Sequence, residues 1–214
     1  MVASRASDSF FIAAFIVGMG VQLRMQALSI PLRNTTSRYG LVSQLFHWLI
    51  VGLILFQYTW AWRIDQAEGI RVRFELVTQH KTIGMLVLGL AVLRLLWRLF
   101  NRPPALPSAM RGWEQVAAKA GHWALYGLIF AVPLSGWLYS SAAGYADFWW
   151  GPVSFPSLVE ANESLEDRMQ LVHQGLAISL GVMALIHALA ALRHHFINKD
   201  DVLKRMLPIW RSKD

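Results

Sequence analysis

The sequence predicts an all-α protein, a transmembrane four-helix bundle. Three observations predict it. Of 214 residues, 55% are hydrophobic and 15% charged, and the mean hydropathy is +0.39, more apolar than a soluble domain of this size. Four apolar stretches of about 20 residues or more, each long enough to cross a bilayer, are separated by loops that carry most of the charge. Histidines recur near the ends of those stretches, where an ionisable group is costly and usually functional.

Composition also excludes several classes. The absence of cysteine rules out disulfides, thiolate ligation, cysteine-held iron–sulfur clusters and covalent attachment of haem through a cysteine motif. The net charge is +7, but the basic residues flank the spans, which is a positive-inside bias and not a nucleic-acid surface. No glycine-rich phosphate loop, nucleophile elbow, zinc-protease motif or internal repeat occurs.

Residues 1–37 form an N-terminal extension. Its apolar run, 9–23, has 15 residues, short of the ~20 a spanning helix needs. A signal-like segment and an interfacial helix are two readings of it. The expected one is a start placed too early, with Met25 as the true beginning, because Arg33 and Arg38 suit a short cytoplasmic N-terminus. The bundle itself is expected over 38–198.

The first span, about 41–62, carries His47 and Gln57 among large apolar side chains and ends on Trp60 and Trp62, which suit an interface. The second, about 76–99, opens on Thr78-Gln79-His80-Lys81 and closes with Arg94 and Arg98. Gly84 lies one turn below His80, where a missing side chain suits either a flat macrocycle or close helix packing. A connector with Pro103, Pro104 and Pro107 leads to the third span, about 114–139, with His122 near its start and Pro133 within. A loop over 140–168 follows, rich in aromatics (Tyr145, Phe148, Trp149, Trp150, Phe155) and acids (Asp147, Glu160, Glu163, Glu166, Asp167). The fourth span, about 169–195, carries His173, His187, His194 and His195. The basic tail 199–214 is expected to form an amphipathic surface helix through Val202, Leu203, Met206 and Leu207.

Loop charge sets the orientation. Arg94, Arg98, Arg102, Arg111 and Lys119 mark the second connector as cytoplasmic, and the acidic third loop faces out. Both termini are then cytoplasmic in a multi-pass protein. Arg63, Arg71 and Arg73 in the first loop pull the other way.

Depth then sorts the histidines. His173 and His187 are 14 residues apart on nearly one face, roughly 21 Å along the axis. On the outer side only His80 is available to pair with His173. On the inner side His187 can pair with His47 or with His122. Two neutral imidazoles give a six-coordinate haem iron with no open site, which suits electron transfer. Side chains on facing helices build such sites in four-helix bundles. The spans have no Asp or Glu at mid-depth, which weighs against a proton pump or transporter.

Phe46-His47-Trp48, His80, Gly121-His122, Trp97-Arg98-Leu99, His187 with Ala188–Ala191 and His194-His195, and the tail Asn198-Lys199-Asp200 to Met206-Leu207-Pro208 together resemble the bacterial cytochrome b561 family. These are four-helix di-haem cytochromes related to the membrane subunits of formate dehydrogenases and hydrogenases. The resemblance covers about 38–210. It implies two haem b groups, one on His47 and His187 and one on His80 and His173. It places His122 and His194 near a quinone. It also implies an inner (plasma) membrane location and, in one branch, oxidation of superoxide at the outer face with reduction of ubiquinone. Arg94 and Arg98 then suit the inner haem propionates, and Lys81, Arg71 and Arg73 an anionic donor. The ordinary role of such cations, anchoring at the interface, competes with both. Two other readings stand beside this one. The chain is a cytochrome b subunit docking to a separate periplasmic dehydrogenase, or it is a haem-free membrane protein that binds a metal or acts as a scaffold.

Overall fold

The computed structural model describes residues 31–107, 110–145 and 155–207. The apolar run 9–23, Met25, the loop residues Asp147, Phe148, Trp149 and Trp150, and Arg211 and Lys213 of the tail lie outside the described residues. From Arg33 on, the described residues belong to the larger of two units of the chain.

Four helices make up the larger unit: α1 (Leu41–Asp65), α2 (Ile70–Phe100), α3 (Gly112–Ala142) and α4 (Glu163–Arg193). All four are long and apolar enough to cross a membrane. Consecutive helices pack side by side, and α1 meets α4 where the Tyr58 hydroxyl donates to the Ala177 carbonyl at 2.6 Å, over Gly181. The 66–69 turn, with Gly69 at φ +90°, reverses the chain between α1 and α2.

The bundle is apolar on its outside as well as within. Leu55, Leu93, Ile178, Leu185 and Leu189 are all exposed, as on a helix that faces lipid. Its dry centre is one layer with a contribution from every helix: Ile50, Val87 and Ala91, Ile129, and Leu180. This layer separates the two ends. The distal end holds the α1–α2 turn and the start of α4. The proximal end holds the start of α1 and the end of α4.

The helices outrun their apolar stretches because their ends are polar but well satisfied. Asn162 caps α4, accepting from the Leu165 amide at 2.9 Å, and Glu163 and Glu166 suit the positive end of the dipole. At the start of α3, Glu114 accepts from the Arg111 amide at 3.1 Å and from Arg193 at 3.2 Å, tying α3 to the last turn of α4.

The tail differs from its expected form. After α4 come a π-turn (His194–Asn198) and a 3-10 turn of three residues (Lys204–Met206), and no longer helix among the described residues. Hydrogen bonds, not an amphipathic face, fix this strap. Trp48 donates to the Met206 carbonyl at 2.8 Å, and the Gln44 amide reaches the Tyr39 and Arg205 carbonyls at 3.0 and 3.3 Å. Arg205 in turn donates to the Ala105 carbonyl at 2.8 Å. The strap thus closes the proximal end over the first turns of α1.

Candidate functional site

The distal end brings His80 and His173 together. Each lies ten residues into its helix, and their ring centres are 6.3 Å apart with planes at 89°. His173 is held from behind. Its Nδ1 lies 3.0 Å from the Val132 carbonyl and 3.1 Å from the Ser135 hydroxyl, which itself donates to that carbonyl. A carbonyl only accepts, so Nδ1 carries the ring proton and Nε2 is bare. Gly136 lets the ring in: a Cβ there would stand 2.9 Å from the Cε1 of His173. His80 is held more loosely, with its Nδ1 buried and lacking a partner among the described residues, like the Oε1 of Gln57. A cavity of about 410 Å³ runs between the rings, lined from all four helices by residues that include Gln57, Tyr58, Gly84 and Gly136.

Arg73 and Lys81 line the same cavity, and Lys81 also donates to the Tyr145 carbonyl at 3.1 Å. Arg71 does not line it and pairs with Glu75 at 3.2 Å on the exposed face.

The proximal end gathers histidines from three helices and arginines from the fourth. His47 lies six residues into α1 and His187 six before the end of α4; their ring centres are 6.3 Å apart at 71°. His122 is also near, 5.4 Å from His187. Arg94 approaches the Nδ1 of His47 at 3.2 Å, and the guanidiniums of Arg94 and Arg98 each lie 5.4 Å from the centre of the Tyr126 ring. Beside this cluster, burial pushes the Tyr39 phenol above its usual pKa, against the pull of Arg98, Arg94 and Arg205. His194 is set apart on the π-turn, with its Nδ1 on Asp200 at 2.5 Å. His195 makes only a ring contact with Phe196 among the described residues.

The donor sets are informative. Among the described residues no three His, Cys, Asp or Glu side chains form a metal-ion site. A pair of imidazoles alone is a poor cage for a bare ion, which takes four or more ligands in a protein site. It suffices where a macrocycle brings the other four. The sequence profile of the prokaryotic cytochrome b561 family matches residues 38–208. The chain belongs to this family.

Cytochromes b561 are membrane electron carriers that bind haem b, and four apolar spans agree with a bacterial membrane protein. The chain is 36% identical over 177 residues to Cytochrome b561 homolog 2 of Escherichia coli K12, covering 81% of this chain and 93% of that protein. It is 30% identical over 181 residues to the protein named Probable superoxide oxidase CybB of Yersinia pestis, covering 82% of this chain and 98% of the relative. Cytochrome b561 homolog 1 of Escherichia coli K12 is 29% identical over 131 residues, covering 60% of this chain and 73% of that protein.

Several neighbours of the histidines are not predicted from the sequence. Ser135, Gly136 and the Val132 carbonyl surround His173. Gly84, expected beneath His80, lines the same cavity, and a Cβ there would meet Gln57 at 3.3 Å. The small pair Ser135-Gly136 following Pro133 is the signal available. Tyr126, one turn beyond His122, had none.

Proposed function

We propose that this cytochrome carries two haem b groups, one between His80 and His173 and one between His47 and His187, and passes electrons from a one-electron donor to membrane quinone. The observation that carries the reading is the spacing of the pairs. Both have ring centres 6.3 Å apart, room for one metal atom held between the two rings through a nitrogen of each at about 2 Å. The His122–His187 spacing of 5.4 Å fits less well. A haem held by either histidine pair would supply a one-electron relay.

The chain's own residues do the rest. Val132 and Ser135 hold the proton of His173 on Nδ1, leaving Nε2 as the ligand atom and raising its basicity. His47 is differently held. A guanidinium only donates, so beside Arg94 its Nδ1 is an acceptor and its proton sits on Nε2. Ligation through Nε2 would require the other tautomer, and Arg94 would then need another acceptor. Arg94 and Arg98 would hold the propionates of that haem. At the distal end Arg73 and Lys81 supply positive potential for an anionic donor. His122 and His194 would face the quinone, at the proximal end. Loop charge puts that end and both termini on the cytoplasmic side.

Superoxide is the donor that the likeness to the Yersinia pestis protein favours. The test is to mix the purified, haem-loaded protein with superoxide and a short-chain ubiquinone. Quinol formation at a rate set by the amount of protein is the expected outcome. A protein that holds haem yet forms no quinol would instead serve a separate dehydrogenase.

A further inference from the structure

α4 does not simply stop. Past Arg193 it widens into the π-turn His194–Asn198, and Lys199 takes a left-handed conformation, φ 54°, which a residue with a Cβ seldom adopts. The Asp200 amide closes back on the His194 carbonyl at 3.1 Å. The turn thereby returns the Asp200 side chain to the ring that began it. One carboxylate oxygen accepts from the Nδ1 of His194 at 2.5 Å, and the other accepts from the Val202 amide at 3.0 Å. The His194 ring is buried, at 7% exposure, while its Nε2 has no hydrogen-bond partner among the described residues. His194 follows His187 by seven residues, almost two turns on nearly the same face and about 10 Å along the axis.

We propose that Asp200 is a positioning residue that fixes the proton of His194 on Nδ1, so that its bare Nε2 relays protons from water to the quinone being reduced. This rests on the reading that places His194 at the quinone. An ionised carboxylate only accepts, so the ring beside it must donate from Nδ1, and Nε2 is left as the working atom. The Asn198 amide also lies 3.1 Å from Nδ1 and, with the proton there, turns its oxygen to the ring. Before quinone docks, Nε2 takes a proton from water and the ring becomes an imidazolium, whose charge Asp200 balances. With quinone in place the Nε2–H bond breaks and an O–H bond forms on a quinone oxygen; the ring returns to its starting tautomer. Quinone takes up two electrons and two protons to become quinol. The electrons come singly from the donor through the cytochrome, and two rounds at His194 deliver both protons.

Asparagine and alanine at position 200 separate this role from a structural one. In Asp200→Asn the amide oxygen can still accept from Val202, but the amide nitrogen now donates to Nδ1, and the ring proton is forced onto Nε2. In Asp200→Ala only the Asn198 amide remains at Nδ1, 3.1 Å away, and it can turn either its oxygen or its nitrogen to the ring, so neither tautomer is imposed. A merely structural role makes alanine the worse variant, and the proposal makes asparagine the worse.

The experiment uses full-length, haem-loaded protein in lipid nanodiscs, pre-reduced and mixed with a short-chain ubiquinone while haem reoxidation is followed optically. Asp200→Asn is expected to lower the rate at saturating quinone by about tenfold or more, the scale of a lost general acid. The half-saturating quinone concentration should stay within about threefold, since binding is not what is lost. Asp200→Ala should fall between that variant and the parent. Alanine slower than asparagine, or both as fast as the parent, overturns the proposal. His194→Gln tests the underlying reading separately: reoxidation at the parental rate would remove His194 from the quinone site altogether. If a variant loses haem, the parent decides by ¹⁵N NMR of labelled histidine. A His194 signal protonated at Nδ1 is expected at neutral pH, and one protonated only at Nε2 overturns the proposal.

Discussion

The imidazole planes of His80 and His173 stand at 89° to one another, nearly perpendicular, whereas those of His47 and His187 stand at 71°. With both rings on one iron, perpendicular planes leave the two highest partly filled d orbitals close in energy, and the electronic anisotropy is then largest. On the proposed two-haem reading, the haem held at the distal pair is accordingly expected to give the low-spin electron paramagnetic resonance signal at the higher g value. A single signal, common to both haems, would contradict this difference in ring orientation.

His173→Ala should cost one haem per chain and leave the other in place, because Ile50, Val87, Ala91, Ile129 and Leu180 separate the two ends. Haem extracted per mole of polypeptide measures it, from about two equivalents to about one. Equal loss from both ends would argue against the assignment by end.

Gly136→Ala tests the support around His173. A Cβ at 2.9 Å from Cε1 cannot be accommodated by a ring already fixed by Val132 and Ser135, so the ring must shift. Overpacking of this kind costs about 1–3 kcal/mol. Retention of the distal haem should fall by about tenfold or more, the scale of a disturbed outer ligand shell. Gly84→Ala, whose Cβ would meet the end of the Gln57 side chain, should be much milder.

Arg94→Gln removes a positive charge beside His47. Loss of that charge favours the oxidised, more positive iron, so the midpoint potential of the proximal haem should fall. At an effective dielectric near 20 and a separation of about 8 Å the change is about 2 kcal/mol, or roughly 90 mV. A redox titration followed at the haem absorption band measures it, with the distal haem as internal control. An unchanged proximal potential would place Arg94 away from that haem and leave it as an anchor at the interface.

Gln44 is 1% exposed, and its amide bonds to carbonyls both of the chain just before α1 and of the strap. Gln44→Ala should destabilise the folded protein by about 1–3 kcal/mol, the cost of leaving such partners unmet in a buried place. A thermal melt lowered by several degrees with haem stoichiometry unchanged is the expected result. Loss of haem at unchanged stability would mean that Gln44 serves the proximal site directly.

The helices are legible in the sequence because lipid demands long apolar runs, and four of them stand out. Their ends are less so: α2 starts at Ile70 and α4 at Glu163, within charged segments that hydropathy assigns to loops, because local pairs such as Arg71–Glu75 and caps such as Asn162 carry helix past the membrane. The meeting of His80 with His173 is legible from depth alone, since no other histidine lies at that level. The proximal cluster is not. His47 and His122 both reach the ring of His187, and depth cannot rank two neighbours that differ by 0.9 Å in approach. The backing of His173 is invisible for another reason: its acceptor is a backbone carbonyl, which leaves no mark on residue type.

The strap has a consequence for biogenesis. Gln44 and Trp48 belong to α1, yet their acceptors at Arg205 and Met206 lie 161 and 158 residues further along the chain, beyond α4. This helix therefore waits, with its polar contacts unfinished, until α2, α3 and α4 have all been made. Closure of this end comes only after all four helices, and a nascent chain stalled before the strap would leave it open.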